Sequence, residues 1–352
     1  SGDNTWNAGL GGTTARFLVA LAAVNGEGYV VDGDAALRKR PVSVLVDALT
    51  ELGAGIEYLE EQGCLPVRIH ETISSGGVLD VDASMSSQFV SALMLIGPCL
   101  DGGLKLNFRN RVLSRPYINM TAIVMRDFGA EVDLRKNSVF IPGSGYTPRD
   151  YFIEPDWSAA SYWYEIAALS EEAEIRFPAL VDSPLQGDRK VMEYMKALGV
   201  RTAIDDKGVT IAKSGGIIYI DTWIEDLNDS PDLGPACIAT SAGLGITADF
   251  PGLRNFRIKE SDRAYALQRE LYKFRVRTDF CGGSKFKVYP HHGMEGSDVT
   301  ISTYNDHRIA MCMAPLVMRA GAFNVEDADV VKKSYPGYWS DLESAGVTLE
   351  NC

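Results

Sequence analysis

The residue types suited to gripping anions and moving protons recur along this chain in short, separated clusters. Gly11-Gly12-Thr13-Thr14-Ala15-Arg16, Arg38-Lys39-Arg40-Pro41, Ser86-Ser87-Gln88 and Ser114-Arg115-Pro116-Tyr117 come first. Asp156-Trp157-Ser158, Gln186-Gly187-Asp188, Ser230-Pro231-Asp232, the run 257–263, Asp306-His307-Arg308 and Lys332-Lys333-Ser334 follow. Planar guanidinium groups hold phosphate and carboxylate with paired hydrogen bonds, and carboxylates such as Asp232 and Glu260 can exchange protons with a bound substrate. Taken singly, each cluster also has a plain structural reading. Ser, Asp and Pro before a helix commonly act as caps, and a charge-dense run such as 257–263 is commonly a solvated helix face.

The elements that would position these residues repeat. A one-sided helix running into Leu-Gly-Ala or a variant recurs at Leu52-Gly53-Ala54, Phe128-Gly129-Ala130, Leu198-Gly199-Val200, Phe274-Arg275-Val276 and Ala345-Gly346-Val347, at intervals of about 76, 70, 76 and 71 residues. The apolar positions recur near a 3.6 period, as in Leu45, Leu49 and Leu52. Glycine after such a helix is a C-terminal stop, and Arg275 breaks that rule. A second, more uniformly apolar helix starts near Thr13, Ser86, Ser158, Asp232 and His307, spaced by roughly 73, 72, 74 and 75 residues. A helix apolar all round is buried.

Each unit therefore reads as strand, buried helix, strand, surface helix and two more strands. Five units are visible, and the spacing predicts a sixth upstream, on the order of 80 residues. The chemistry-bearing clusters fall at helix starts, where unpaired N–H groups and the helix dipole attract anions.

Composition narrows the function. A chain of 352 residues with 46% hydrophobic content suits two domains. Its apolar stretches are too short or too interrupted for a membrane span, and its start lacks the pattern of a signal peptide. A net charge of −13 opposes nucleic-acid binding. Six scattered cysteines without a CxxC pair, and only four histidines, predict reduced thiols, a cytoplasmic setting and no metal site.

In order, Gly-Gly-Thr-Thr-Ala-Arg, Arg-x-Arg-Pro, Ser-Ser-Gln, Ser-Arg-Pro-Tyr, Asp-Trp-Ser-Ala-Ala-Ser-Tyr, Gln-Gly-Asp, Asn-Asp-Ser-Pro-Asp, Arg-Ile-Lys-Glu-Ser-Asp-Arg, Thr-Tyr-Asn-Asp-His-Arg and Lys-Lys-Ser-Tyr-Pro cover nearly the whole chain. Together they resemble the EPSP synthase family of enolpyruvyl transferases. The resemblance implies an α/β fold, the inverse α/β prism, with two lobes of repeated βαβαββ units, five of the six being visible here. The lobes would be 1–153, on the shikimate 3-phosphate side and lacking its first repeat, and 154–352, carrying catalytic and phosphoenolpyruvate-binding residues. It implies transfer of the enolpyruvyl group of phosphoenolpyruvate to the 5-hydroxyl of shikimate 3-phosphate by a monomer without a cofactor. The family's lysine-serine pair and arginine of the first unit would fall upstream of this chain.

By the same resemblance, Gly12, Thr13, Arg40, Gln88, Arg263, Arg308 and Lys333 bind phosphoenolpyruvate. Ser86, Ser87, Gln88, Ser114, Tyr117, Asp232, Asn255 and Lys259 bind shikimate 3-phosphate. Asp232 takes the attacking hydroxyl's proton, and Glu260 and Lys333 are the candidates for protonating the methylene carbon. Two alternatives share the fold: a UDP-N-acetylglucosamine enolpyruvyl transferase, which typically carries a reactive cysteine in its first lobe, and a non-catalytic sugar-phosphate-binding fragment. Cys64, in an expected hairpin, and Cys99, at a helix end, fit the reactive role poorly.

Overall fold

The computed structural model describes residues 4–26, 28–84, 86–110, 112–215 and 220–350. The chain divides into two compact units, Ser1–Phe152 and Ile153–Cys352.

The first unit contains one motif twice. Its first copy is β1 (Asn4–Asn7), α1 (Gly12–Asn25), β2 (Tyr29–Asp32), α2 (Ser43–Glu51), β3 (Gly55–Tyr58) and β4 (Val67–Glu71). The second is β5 (Val78–Asp82), α3 (Ser87–Ile96), β6 (Leu104–Arg109), α4 (Arg115–Asp127), β7 (Asp133–Leu134) and β8 (Ser138–Ile141). The sheets have the same order, β1-β2-β4-β3 and β5-β6-β8-β7. In each, the first pair is parallel and the others antiparallel. A parallel pair needs a crossover, which the buried helix supplies, whereas the last two strands close as a hairpin. Helices α1 and α3 pack against one another in the core.

The second unit holds α5 (Trp157–Leu169), β9 (Ala173–Phe177), α6 (Val191–Lys196), β10 (Arg201–Asp205) and β11 (Gly208–Lys213). It continues with β12 (Thr222–Ile224), α7 (Gly234–Leu244), β13 (Thr247–Phe250), α8 (Arg263–Lys273), β14 (Thr278–Cys281) and β15 (Lys285–Val288). Last come β16 (Thr300–Ile301), α9 (His307–Met313), α10 (Val317–Ala320), β17 (Asn324–Val325) and α11 (Tyr338–Ser344). Only the middle repeat has the full order, β12-β13-β15-β14; the others give β10-β11-β9 and β16-β17. Five complete βαβαββ copies are therefore not present among the described residues. Among the described residues the third copy shows no leading strand, where residues 148–156 carry two prolines. Among the described residues the fifth shows no closing hairpin.

Helices α5, α7 and α9 pack together in this unit's core. Small residues allow the close approach: a Cβ on Gly243 of α7 would lie 2.5 Å from Leu169 of α5. The helix ends also explain the odd member of the repeat. Gly53, Gly129, Gly199 and Gly346 have φ of 104°, 82°, 80° and 100°, and Arg275 takes the same left-handed turn at 62°. What recurs is the backbone conformation, which glycine adopts without strain and arginine adopts at a cost.

Cys64, Cys237 and Cys312 are buried, Cys99 and Cys281 exposed, and all five are free. Cys352 lies outside the described residues.

Candidate active site

In the second unit, three helix starts converge on one guanidinium. Arg263 opens α8 and is 1% exposed. It donates from Nε to Asp306 (2.8 Å), from Nη1 to Asp232 (2.9 Å) and from Nη2 to Glu260 (2.8 Å). Asp306 caps α9 by accepting from the Arg308 amide at 3.0 Å, and it also accepts from the Ser261 hydroxyl. Asp232 lies in the 3-10 turn Pro231–Leu233 that leads into α7. It makes no side-chain cap there, so its carboxylate is spent on Arg263, on Arg308 at 3.1 Å and on Lys259 at 3.3 Å. Glu260 pairs through its other oxygen with Lys333 at 2.6 Å.

Three carboxylates, Asp232, Glu260 and Asp306, thus face four cations, Lys259, Arg263, Arg308 and Lys333. Burial pushes the Asp232 carboxyl toward neutrality, but Arg308, Lys259 and Arg263 outweigh it and hold the group far below the usual carboxylate range. Asp306 is likewise held ionised against its burial, chiefly by Arg263. Burial and then Arg308 push His307 down to about 3, so its imidazole is neutral. These seven groups, all ionised, sum to one net positive charge.

The Arg263 donors point at the protein's own acids, which it braces in this structure. Arg308 and Lys333 keep side-chain exposures of 12% and 15%. Asn255 precedes the 3-10 turn 256–258, and its buried Oδ1 has no hydrogen-bond partner among the described residues, an acceptor available to a ligand hydroxyl.

The first unit joins three helix starts. Gln88 of α3 donates to the Thr13 hydroxyl of α1 at 2.8 Å. The Leu113 amide, ahead of α4, donates to the Ala83 carbonyl, ahead of α3, at 3.1 Å. Gly12 has no side chain because Arg40 and Arg16 fill that space: a Cβ would lie 2.5 Å from Arg40 Nη1 and 2.7 Å from Arg16 Nη1. Ser86 caps α3 by accepting from the Gln88 amide, Ser87 is buried, and Ser114 sits at φ 53°, one residue before α4, with Tyr117 in the first turn of that helix. Gly12, Thr13, Arg40 and Gln88 are therefore brought together, and Ser86, Ser87, Ser114 and Tyr117 lie on adjoining helix starts.

Two quoted clusters serve another end. Asp156 caps α5 at the Ser158 amide, and the Gln186 carboxamide accepts from the Trp157 amide and donates to the Pro155 carbonyl. The start of α5 is thus filled by the protein itself, not left open to a ligand anion. Sequence reasoning also passed over Asp306, which reads as a simple cap in Asp-His-Arg, and Tyr162, whose hydroxyl lies 3.5 Å from Arg308 Nη1.

This architecture is that of the inverse α/β prism. Two solved EPSP synthase structures from Acinetobacter baumannii superpose on 99% of the chain with TM-scores of 0.77 and 0.74 at 23% and 22% identity, the chain covering 80% of each. The family model for EPSP synthase (3-phosphoshikimate 1-carboxyvinyltransferase) matches residues 2–342. The 3-phosphoshikimate 1-carboxyvinyltransferase of Bacteroides fragilis strain YCH46 is 38% identical over 340 residues, 96% of this chain and 82% of that relative. That of Syntrophobacter fumaroxidans is 36% identical over 340 residues, 95% of this chain and 78% of that relative. The chain belongs to the EPSP synthase family.

Proposed function

We propose that the chain transfers the enolpyruvyl group of phosphoenolpyruvate to the 5-hydroxyl of shikimate 3-phosphate, releasing phosphate, and that the cluster around Arg263 carries the chemistry. The observation that supports this most directly is the joining of Asp232 and Glu260 through one buried guanidinium, with Lys333 on Glu260. In the addition step the acceptor oxygen bonds to C2 of the donor while its proton passes to Asp232 and a proton is delivered to C3. In the elimination step the C2–O bond to phosphate breaks, the departing phosphate takes the proton held by Asp232, C3 returns a proton to the group that supplied it, and the vinyl group is restored. The protein thus returns to its starting protonation. The Lys333–Glu260 pair holds a transferable proton at 2.6 Å and is assigned to C3.

Arg308, Lys333, Arg40 and the start of α1 at Gly12 and Thr13 are assigned to the donor's anionic groups, with Gln88. Ser86, Ser87, Gln88, Ser114, Tyr117, Asn255, Lys259 and Asp232 are assigned to the acceptor. Arg263 is assigned to the donor site with them, and it also braces the acids of this set. In this reading the enzyme is a cytoplasmic monomer, a setting that suits its free thiols. Among the described residues no helix is long and apolar enough to cross a membrane.

UDP-N-acetylglucosamine as acceptor finds no matching feature. A thiol that reacts needs a lowered pKa, whereas burial pushes both Cys64 and Cys99 up.

The test is phosphate release from phosphoenolpyruvate by the full-length protein. Release should require shikimate 3-phosphate and fall by about 10²–10⁴ in Asp232→Asn and in Glu260→Gln. Release indifferent to shikimate 3-phosphate, or none from folded protein, overturns the assignment.

A further inference from the structure

Lys333 meets Glu260 at 2.6 Å, yet it is carried by a short 3-10 turn, 328–333, between β17 and α11. A flexible four-carbon side chain keeps a fixed place only if the backbone beneath it is held by a supporting shell. Val331 is fully buried and anchors the middle of the turn, which packs on α9. The Trp339 ring nitrogen of α11 donates to the Ala328 carbonyl at 2.8 Å and so holds the start of the turn.

The end nearest Lys333 is held differently. The Tyr335 amide donates to the Val331 carbonyl at 2.8 Å, which closes residues 331–335 into one bend. The Tyr335 hydroxyl then joins two helices: it accepts from the Trp163 ring nitrogen of α5 at 3.2 Å and donates to Asp341 of α11 at 2.7 Å. Its ring stands edge-on to Tyr338 at 5.4 Å, and Tyr338 stands edge-on to Tyr162 of α5 at 6.1 Å. The Tyr338 hydroxyl donates to the Met311 carbonyl of α9 at 2.7 Å, and the Tyr162 hydroxyl lies 3.5 Å from Arg308 Nη1. One aromatic wall thus ties the segment carrying Lys333 to the helix carrying Arg308. Packing alone would be served by phenylalanine at 335; the hydroxyl adds a directional bond on either side of the ring.

We propose that Tyr335 is a positioning residue for the reaction: its hydroxyl, held between Trp163 and Asp341, sets where the turn 328–333 places the Lys333 ammonium against Glu260. Without that hydroxyl the turn keeps Val331 and its backbone bonds, so the fold survives, but the ammonium is no longer fixed on its partner. A displacement of about 1 Å near a reacting group can cost up to about 10² in rate.

This inference rests on the assignment of Lys333 to the C3 proton, so its test includes one readout that needs no turnover. Tyr335→Phe keeps the ring and deletes both side-chain bonds. In the full-length protein without substrates, lysines are methylated with formaldehyde and cyanoborohydride, and each site is followed by mass spectrometry. Lys333 should react at least about threefold faster in the variant than in wild type, and the exposed Lys207 equally fast in both. In the steady state, kcat for phosphate release should fall about tenfold with KM for shikimate 3-phosphate unchanged. In a Lys333→Arg background, where the ammonium is already gone, Tyr335→Phe should cost less than about twofold.

An unmoved Lys333 labelling rate, or equal fold losses of kcat in the two backgrounds, overturns the proposal. Lys207 accelerating together with Lys333 also overturns it, since that marks a loosening of the whole unit. If Tyr335→Phe does not fold, Trp163→Phe, which removes the donor to the same hydroxyl, takes its place with the same expectations. Wild type that releases no phosphate would overturn the function assigned above, while the labelling comparison still decides what holds Lys333.

Discussion

Glu165 gives the sharpest stability prediction. It lies in the middle of α5, is fully buried, and neither carboxyl oxygen has a hydrogen-bond partner among the described residues. Burial pushes its pKa well above the ordinary glutamate value. The native state therefore keeps a proton that the unfolded chain has released above about pH 4.3. Stability must fall as pH rises from there, by about 1.36 kcal/mol per pH unit, until the pH passes the native pKa and the loss levels off. Glu165→Gln has no such proton. Its buried amide adds a cost that does not vary with pH, so the informative quantity is the slope.

Between pH 5.5 and 7.5 the variant should gain on wild type by up to about 1.36 kcal/mol for each pH unit that lies below the native pKa. At ~2–4 °C per kcal/mol for a unit of this size, each such pH unit is roughly 3–5 °C in Tm. Trp157, Trp163, Trp223 and Trp339 all lie in the second unit, so tryptophan fluorescence during urea or thermal unfolding reports chiefly on it. A gap between variant and wild type that stays constant across this range would refute the argument, since it would mean the carboxyl is already ionised in the native protein.

Two further outcomes follow from the site. Arg263→Met strands Asp306, which is fully buried, together with Asp232 and Glu260, and should cost about 3–5 kcal/mol in denaturant unfolding. Adding Asp306→Asn should recover part of that loss, whereas a loss below about 1 kcal/mol would show that the hub does not brace the fold. Gly12→Ala places a Cβ where the Arg40 and Arg16 guanidiniums now lie. Because these are the far ends of flexible side chains, Tm should hold while KM for phosphoenolpyruvate rises about tenfold, roughly 1.4 kcal/mol; an unchanged KM would remove Arg40 from the donor site.

The repeat was legible because its punctuation is local: each surface helix ends in a left-handed residue, and glycine marks four of the five. Arg275 shows the limit, since the same turn is made without the same letter. The full strand complement was not legible, because β16 and β17 are two residues long and two prolines occupy the stretch where the third copy's first strand was expected. In the site, the sequence marks Asp232, Glu260, Arg263, Arg308 and Lys333 as suited to the chemistry. It carries no sign that Arg263 contacts positions 31 and 43 residues away. Those contacts come from the packing of α7, α8 and α9, which is tertiary information. Asp306 was hidden for a different reason: it is a true cap that also bonds Arg263, and the cap explains its presence completely when read alone.

The cluster's layering bears on how it can bind an anion at all. Cations already paired with carboxylates offer a ligand little unless they differ in how firmly they are held. Here they do. Arg263 is sealed in and shared among three acids, so displacing one of them would leave a buried charge unpaired. Arg308, Lys333 and Lys259 retain side-chain exposures of 12%, 15% and 20%. The inner residue therefore fixes Asp232 and Glu260 in place, while the outer cations keep some exposure to solvent. Charges held in advance of the reaction need no reorganisation when charge develops in the transition state. In the proposed reading, the buried Arg263 serves the reaction by holding Asp232 and Glu260 in place before substrate arrives.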